Sequence, residues 1–327
     1  MINHPHRQRA AVTRYCKERR IALDVREDGW LLVLGNGRER HLIFGYDLGL
    51  NSAVAHRIAC DKAATSALLT TSGVPAVPHA LFLAPTVTGV SAPAWTTMLE
   101  LIETHPTGLV VKPNEGTSGR AVTRVRTSAE LKDALTQIFE TGASAAIAPL
   151  LEIADEVRVI MLDGAPLIVY RKLRPVVTGD GLHSLRDLAL QAVPVEQQSR
   201  LLRRLAVEFD ASTLQAIIPQ GEQRLLSWRH NLEFGAQPVL LTEGPLRETC
   251  TALARDAARA LDIRYASVDV VMADGQWQVL EINSGVKMEA LGDYAPELVE
   301  EATFAALDAI FGCRPSGSAA GSPEIPQ

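Results

Sequence analysis

At 327 residues, with 47% hydrophobic and 21% charged side chains, the chain is long enough for a large buried core and for about two domains. A formal net charge of −6, from 32 Lys and Arg against 38 Asp and Glu, excludes the global basic field that would draw it to nucleic acid or an anionic membrane. A local cationic pocket stays compatible with that balance.

The basic N-terminus lacks a following apolar segment of signal-peptide length, and no run of about 18 apolar residues occurs, so a soluble, unexported chain is expected. His4 and His6 near that end read either as metal contacts or as solvated side chains. Residues 7–20 read as a short basic helix, and 21–46 as strands around the Gly-Asn-Gly turn at 35–37, giving a small α/β unit over 1–60. Next, Ala55, Ile58, Ala59, Ala63, Leu68 and Leu69 keep a helical spacing that stops at Ser72-Gly73, with Pro75 beyond. Lys62 therefore sits on or beside a helix.

A strand at 80–83, a helix at 92–105, a buried strand at 108–112, a Gly-rich loop, a strand at 121–126 and a helix capped by Ser128 follow. They describe an α+β subdomain over 61–147 with the Gly-rich hairpin at its edge. A second α+β subdomain over 148–312 collects strands at 144–151, 156–162 and 166–175, a loop into a helix near 185, and a strand and loop across 223–241. It continues with an amphipathic helix at 245–263, two strands joined by the turn at 273–276, and a helix at 296–312. The remainder, 313–327, is rich in Gly, Ser, Pro and Ala and is expected to be disordered. Cys16, Cys60, Cys250 and Cys313 form neither a CxxC pair nor a zinc spacing and read as reduced thiols of a cytoplasmic protein.

Two stretches carry chemistry. In VVKPNEGTSGR, Val110 to Arg120, Lys112 ends an apolar run directly before the loop Gly116, Thr117, Ser118, Gly119. Backbone N–H groups of such a turn make an anion nest, and the lysine adds a point charge. The lysine precedes the glycines and the loop opens into a strand, so this is no Walker loop; an ordinary surface hairpin has the same turn residues. In the two strands SVDVVM and WQVLEINS, Glu281 and Asn283 alternate with Leu280 and Ile282, and an antiparallel turn brings Asp269 to their face. Such oxygen ligands suit Mg²⁺; a partly exposed face with alternating polar residues is the other reading.

Taken in order, Lys62, the Val110–Arg120 hairpin, the strand with Glu156 and Arg158, and the strands with Asp269, Glu281 and Asn283 form a set that resembles the ATP-grasp superfamily. The branch it is similar to contains the ligase domains of cyanophycin synthetase and bifunctional glutathione synthetase. The likeness runs from about residue 50 to 311 and includes the Arg-Pro and Gly-Asp-Gly stretch at 171–188 and the RHNLEFG loop from Arg229. It implies an α+β ATP-grasp fold, two α+β subdomains gripping ATP behind the short N-terminal unit. Lys62, Lys112 and the loop Gly116, Thr117, Ser118, Gly119 would then cover the phosphates. Pro149, Leu150 and Leu151 would wall the adenine, and Glu156 would sit near the ribose. Asp269, Glu281 and Asn283 would hold Mg²⁺, for which Mn²⁺ substitutes. Arg158, Arg174, Arg229 and Asn231 would face the reacting centre. Arg171 and Lys172 are weaker candidates, since alternate basic residues on a strand are usually solvated.

The implied reaction is a carboxylate attacking the γ-phosphorus of ATP, then an amine attacking the acylphosphate to give an amide, ADP and phosphate, on small-molecule substrates such as amino acids. A ligase acting on a peptide or protein terminus, and a nucleotide-binding regulatory protein without turnover, are the alternatives. A homodimer fits the family's habit of self-association. The chain departs from its relatives at NSGVKME, where the usual Pro-Gly pair is absent; Ser284, Gly285 and Lys287 either shape a different pocket or, for Lys287, lie at the surface. With no Mur-ligase-like domain after it, a free-standing ligase is expected.

Overall fold

A computed structural model describes residues 6–35, 40–84, 92–116 and 121–312. Its elements begin with helix α1 (His6–Arg19) and strands β1 (Ala22–Arg26), β2 (Leu31–Gly35) and β3 (Arg40–Phe44), paired antiparallel in that order. Helices α2 (Ala53–Cys60) and α3 (Lys62–Thr71), strand β4 (Ala80–Phe82), helix α4 (Ala92–Thr104), strands β5 (Leu109–Pro113) and β6 (Thr123–Val125), helix α5 (Ser128–Phe139) and strand β7 (Ala145–Pro149) come next. Then follow strands β8 (Asp155–Leu162), β9 (Ala165–Leu173) and β10 (Val176–Thr178), helices α6 (Leu185–Gln191), α7 (Val195–Glu208) and α8 (Ala211–Gln215), and strands β11 (Gln223–Leu225) and β12 (Gln237–Leu240). Helix α9 (Pro245–Ala260), strands β13 (Tyr265–Ala273) and β14 (Gln276–Asn283) and helix α10 (Pro296–Phe311) complete the order.

These elements divide into two compact units, Met1–Ala53 with Ser284–Gln327, and Val54–Asn283. The division differs from the expected breaks at 60 and 147, because α10 belongs with the N-terminal elements. In the first unit α1 buries the stripe Gln8, Ala11, Val12, Tyr15 and Cys16, spaced three and four apart. Tyr15 stands edge-on to Phe304 at 5.2 Å and donates its hydroxyl to Asp308 Oδ1 at 2.9 Å, which ties α1 to α10. Leu32, Leu34 and Ile43 are fully buried on one face of this sheet. Lys287 lies over the Tyr46 ring at 5.8 Å within the same unit. The Asn-Gly turn lies outside the described residues, as does the C-terminal tail from 313.

The second unit has two main sheets, β4-β7-β5-β6 and β12-β9-β8-β13-β14, both antiparallel throughout. The four-stranded sheet turns Val111, Val125 and Ile147 toward α4 and α5, where Met98, Leu131, Leu135 and Ile138 complete a core. On the five-stranded sheet the small side chains Cys250, Ala254, Ala257 and Ala258 of α9 pack on Val157, Val159, Val268 and Val270. Both faces of β13 are covered, and eight of its nine residues are buried.

The helix expected around Lys62 is two helices. Asp61 takes an extended conformation (φ −95°, ψ 108°) and its carboxylate accepts from Ala64 N, so α3 restarts there with Lys62 as its first residue. Helix α5 is capped by Thr127, one residue before the expected Ser128, in a reciprocal box with Glu130. Helices α7 and α8 occupy a stretch for which no element was expected; Leu205 joins Val177, Leu185, Ala189, Ile218 and Leu226 in a separate small core.

Candidate active site

The expected pairing of Asp269 and Glu281 is present. The two are direct cross-strand partners in β13 and β14, with a bulge immediately after Asp269. Residues opposite each other in an antiparallel pair share a face, and Asn283, two residues on, shares it too. Asn283 Nδ2 donates to Glu281 Oε1 at 3.0 Å.

The row continues across the sheet, since Arg158 of β8 is the partner of Asp269 on its other side. Arg158 grips Asp269 with both arms, Nε to Oδ1 at 2.7 Å and Nη2 to Oδ2 at 2.6 Å. Lys172 Nζ reaches Asp269 Oδ1 at 2.8 Å and Glu156 Oε1 at 2.5 Å. Glu156, Lys172 and Asp269 are all buried. Burial works against ionisation of Asp269, but Arg158 and Lys172 outweigh it and hold the carboxyl below its usual range. Burial pushes Glu156 above the usual range, against the pull of Lys172.

One expectation changes here. Lys172 is not on a solvated face: only 3% of it is exposed, and it joins two carboxylates from neighbouring strands. Arg171 does point outward, to Asp155 at 2.7 Å with 42% of its side chain exposed. Glu156 accepts from Lys172 within this four-charge cluster.

Two lysines come from outside this sheet, Lys112 on β5 of the smaller sheet and Lys62 at the start of α3. Lys112 is 8% exposed, on the face of β5 opposite to Val111 and therefore away from the α4–α5 core. Among the described residues its Nζ forms no hydrogen bond or ion pair. Burial lowers its pKa to about 8, offset in part by Glu281 and reinforced by Lys62. Burial also lowers Lys62, again offset first by Glu281. Glu281 thus lies within electrostatic reach of both lysines and of Arg158.

Lys62 Nζ donates to the carbonyls of Asn114 at 3.1 Å and Gly116 at 2.6 Å, fastening the entry of the Gly-rich loop to the start of α3. Asn114, which the sequence reading passed over, is the other half of that joint. It is 2% exposed, and its Oδ1 accepts from Ala63 N at 3.1 Å, so it serves as a second cap on α3. Thr117, Ser118, Gly119 and Arg120 lie outside the described residues.

The remaining expected residues are less uniformly placed. Leu150 N donates to Gly108 O and its carbonyl accepts from Thr107, so its backbone groups are engaged with the turn before β5. Leu151 instead offers an apolar wall with Val77, Ala148, Val271 and Leu280, and Pro149 ends β7 beside it. Arg229 pairs with Glu208 at 2.5 Å and lies over the Trp228 ring, as does Arg124, each guanidinium 4.8 Å from the ring centroid. Asn231 uses its Oδ1 to cap the short turn after it, accepting from Glu233 N at 2.8 Å. Arg174 is half-buried and close enough to help burial hold the His230 imidazole below its ordinary value.

Donor chemistry can be tested against a divalent ion. No group of three or more His, Cys, Asp or Glu gathers as a metal site among the described residues. Magnesium needs fewer, because it keeps waters and takes one or two carboxylates beside substrate phosphates. Glu281 and Asn283 fit that demand. Asp269 fits in position, but its two oxygens already receive three hydrogen bonds from Arg158 and Lys172.

With β5 and β6 paired on the smaller antiparallel sheet and the carboxylate-bearing pair β13 and β14 on the larger, the chain has a fold similar to that of ATP-grasp ligases. Solved structures agree. Bifunctional glutathione synthetase from Pasteurella multocida matches over 95% of this chain at 15% identity with a TM-score of 0.55, and this chain spans 44% of that protein. D-alanine–D-alanine ligase from Bacillus anthracis, complexed with ATP, matches over 80% of this chain and 71% of its own at 16% identity with a TM-score of 0.50. No protein-family model matches. A curated 3-dehydroquinate dehydratase of Mycobacterium leprae (strain Br4923) is 38% identical over 77 residues, which are 23% of this chain and 50% of that enzyme. The chain thus spans about half the length of the curated relative it matches, and nothing of its activity is carried over. No described helix is long and apolar enough to cross a membrane.

Proposed function

We propose that this protein is an ATP-dependent carboxylate–amine ligase that activates a small-molecule carboxylate, such as an amino acid, as an acylphosphate and transfers it to an amine. The observation that carries the reading is the placement of Lys112. A buried ammonium without an ion-pair partner among the described residues is expensive, and it is held close to Glu281 on the next sheet. A polyphosphate supplies the missing negative charge, and Mg²⁺ held by Glu281 and Asn283 would neutralise charge developing on the transferred group.

The chain's own residues then have separable tasks. Lys62 and Lys112 receive phosphate oxygens and lower the repulsion between nucleotide and carboxylate as the two anions approach. On phosphate binding, Lys62 exchanges its carbonyl partners Asn114 and Gly116 for the nucleotide. Arg158 is rigidly aimed by Asp269 and offers its three remaining N–H donors to the transferred phosphoryl group or the substrate carboxylate. No side-chain nucleophile is required.

The test is an ADP-release screen of the purified chain with Mg²⁺ and ATP, crossing a panel of amino acids and small carboxylates with a panel of amines. Release that depends on one pair, with a product mass equal to both substrates less water, is the expected result. Release of ADP with no dependence on either partner, or no binding of ATP at all, overturns the reading.

A further inference from the structure

His79 takes no part in the chemistry described so far, yet it lies on the face of the small sheet that carries Lys112. Ala80 pairs with Ile147, and both turn toward the α4–α5 core. One residue back, His79 falls opposite Ala148, whose side chain points the other way, toward Val77 and Val271. The next row along that face is Leu81, Ala146 and Lys112. His79 and Lys112 are two strands and two residues apart on that face, which puts their Cα atoms roughly 12 Å from each other, about the distance a nucleotide covers from phosphate to base.

The ring is held in one orientation. Its Nδ1 is 2.9 Å from the carbonyl of Val77, which can only accept, so Nδ1 carries the proton and Nε2 presents a lone pair. The His79 backbone N–H donates to Ser66 Oγ, which itself donates to Val77 O. Nε2 is buried and has no hydrogen-bond partner among the described residues. Burial, then Lys112, then Lys62 depress its pKa to about 3, so the lone pair stays unprotonated near neutrality.

A buried acceptor beside two ammonium groups calls for a neutral donor, because a phosphate oxygen offers only lone pairs. The neighbouring cluster of Val77, Ala148, Leu151, Val271 and Leu280, which holds the residue two before His79 and the one opposite it, is apolar and suits a planar ring. We propose that His79 is a specificity-determining residue for the nucleotide, its Nε2 accepting a hydrogen bond from the exocyclic amine of adenine. A 6-oxo purine would set a carbonyl lone pair against the imidazole lone pair and be rejected. This rests on the nucleotide-binding reading above.

Calorimetric titration of the full chain with Mg²⁺ and either ADP or IDP tests it without ligase substrates. Wild type should bind ADP at least tenfold more tightly than IDP. His79→Leu should bring that ratio to within threefold by weakening ADP. His79→Gln, whose amide can turn either its donor or its acceptor to the base, should accept both within threefold and guards against a folding defect in the leucine variant. Equal binding of ADP and IDP by wild type, or an unchanged preference in either folded variant, overturns the role of His79 while leaving the ligase reading intact. Failure of wild type to bind either nucleotide overturns both.

Discussion

Replacing Lys112 by methionine should make the protein more stable and stop it binding nucleotide. The side chain is 8% exposed, and its pKa falls from the ordinary 10.5 to about 8. At 1.36 kcal/mol per pKa unit, the charged form is disfavoured by roughly 3 kcal/mol in the folded state relative to the unfolded one. Methionine keeps the apolar stem and removes the ammonium, so Lys112→Met should gain up to about 3 kcal/mol, less whatever attraction to Glu281 is lost.

The pH dependence gives the sign independently. Below pH 8 both folded and unfolded chains hold the Lys112 proton and the penalty is fully present. Between about 8 and 10.5 the folded chain has released it while the unfolded chain still binds it, so this group makes stability rise with pH across that window. The assay is urea unfolding of both proteins from pH 7 to 10, without nucleotide, followed by calorimetric titration with Mg²⁺ and ATP. Wild type should gain on Lys112→Met as pH rises, and only wild type should bind ATP. A destabilised Lys112→Met protein, with a stability difference that does not change between pH 8 and 10, would refute the claim that Lys112 is a buried charge awaiting a ligand.

Glu281→Gln should lose roughly a hundredfold or more of Mg²⁺-dependent ADP release with an unchanged circular dichroism spectrum; wild-type metal dependence in that variant removes Glu281 from the metal site. Lys172→Met breaks a buried cluster from one side and should lose about 3–5 kcal/mol in chemical denaturation, much of it regained in the double variant with Glu156→Leu. With Lys172 gone the raised Glu156 carboxyl has less reason to ionise, so the folded chain binds its proton where the unfolded chain does not. The single variant should therefore lose stability as pH rises from the carboxylate value of 4.5 toward neutrality. Arg229→Ala leaves the Glu208 carboxylate buried without its 2.5 Å partner and should cost about 3 kcal/mol by the same assay, whereas an effect confined to turnover would assign Arg229 to the reacting centre alone.

What could be read from the sequence follows from how local each feature is. Asp269 and Glu281 were legible because a four-residue turn fixes the register of the strands it joins, and strand periodicity then fixes the face. Lys112 was legible as the polar end of an apolar run. The Arg171-Lys172 pair was not, since alternation says that one points in and one out but not which. That choice is made by Glu156 on β8, paired through a register no local signal encodes. The cap at Thr127 instead of Ser128 is a choice between two adjacent hydroxyls, settled by which one Glu130 can answer. The joining of α10 to α1 rests on Tyr15 meeting Phe304 and Asp308, nearly the whole chain apart, and no sequence period reports such a contact.

Formal charges separate the part of the site that is structurally complete from the part that waits for a ligand. Arg158 and Lys172 against Glu156 and Asp269 sum to zero, every member hydrogen-bonded within the cluster. Such a group is self-contained, and its worth lies in holding Arg158 in one orientation while β8, β9 and β13 stay in register. Lys62 and Lys112 against Glu281 leave one positive charge over, and Lys62 meets only carbonyls while Lys112 meets no partner among the described residues. An anion brought to these lysines relieves a penalty already present in the folded chain, whereas one brought to the balanced cluster must break existing pairs. On the proposed function, a polyphosphate would therefore sit at Lys62 and Lys112, with Arg158 toward its reacting end.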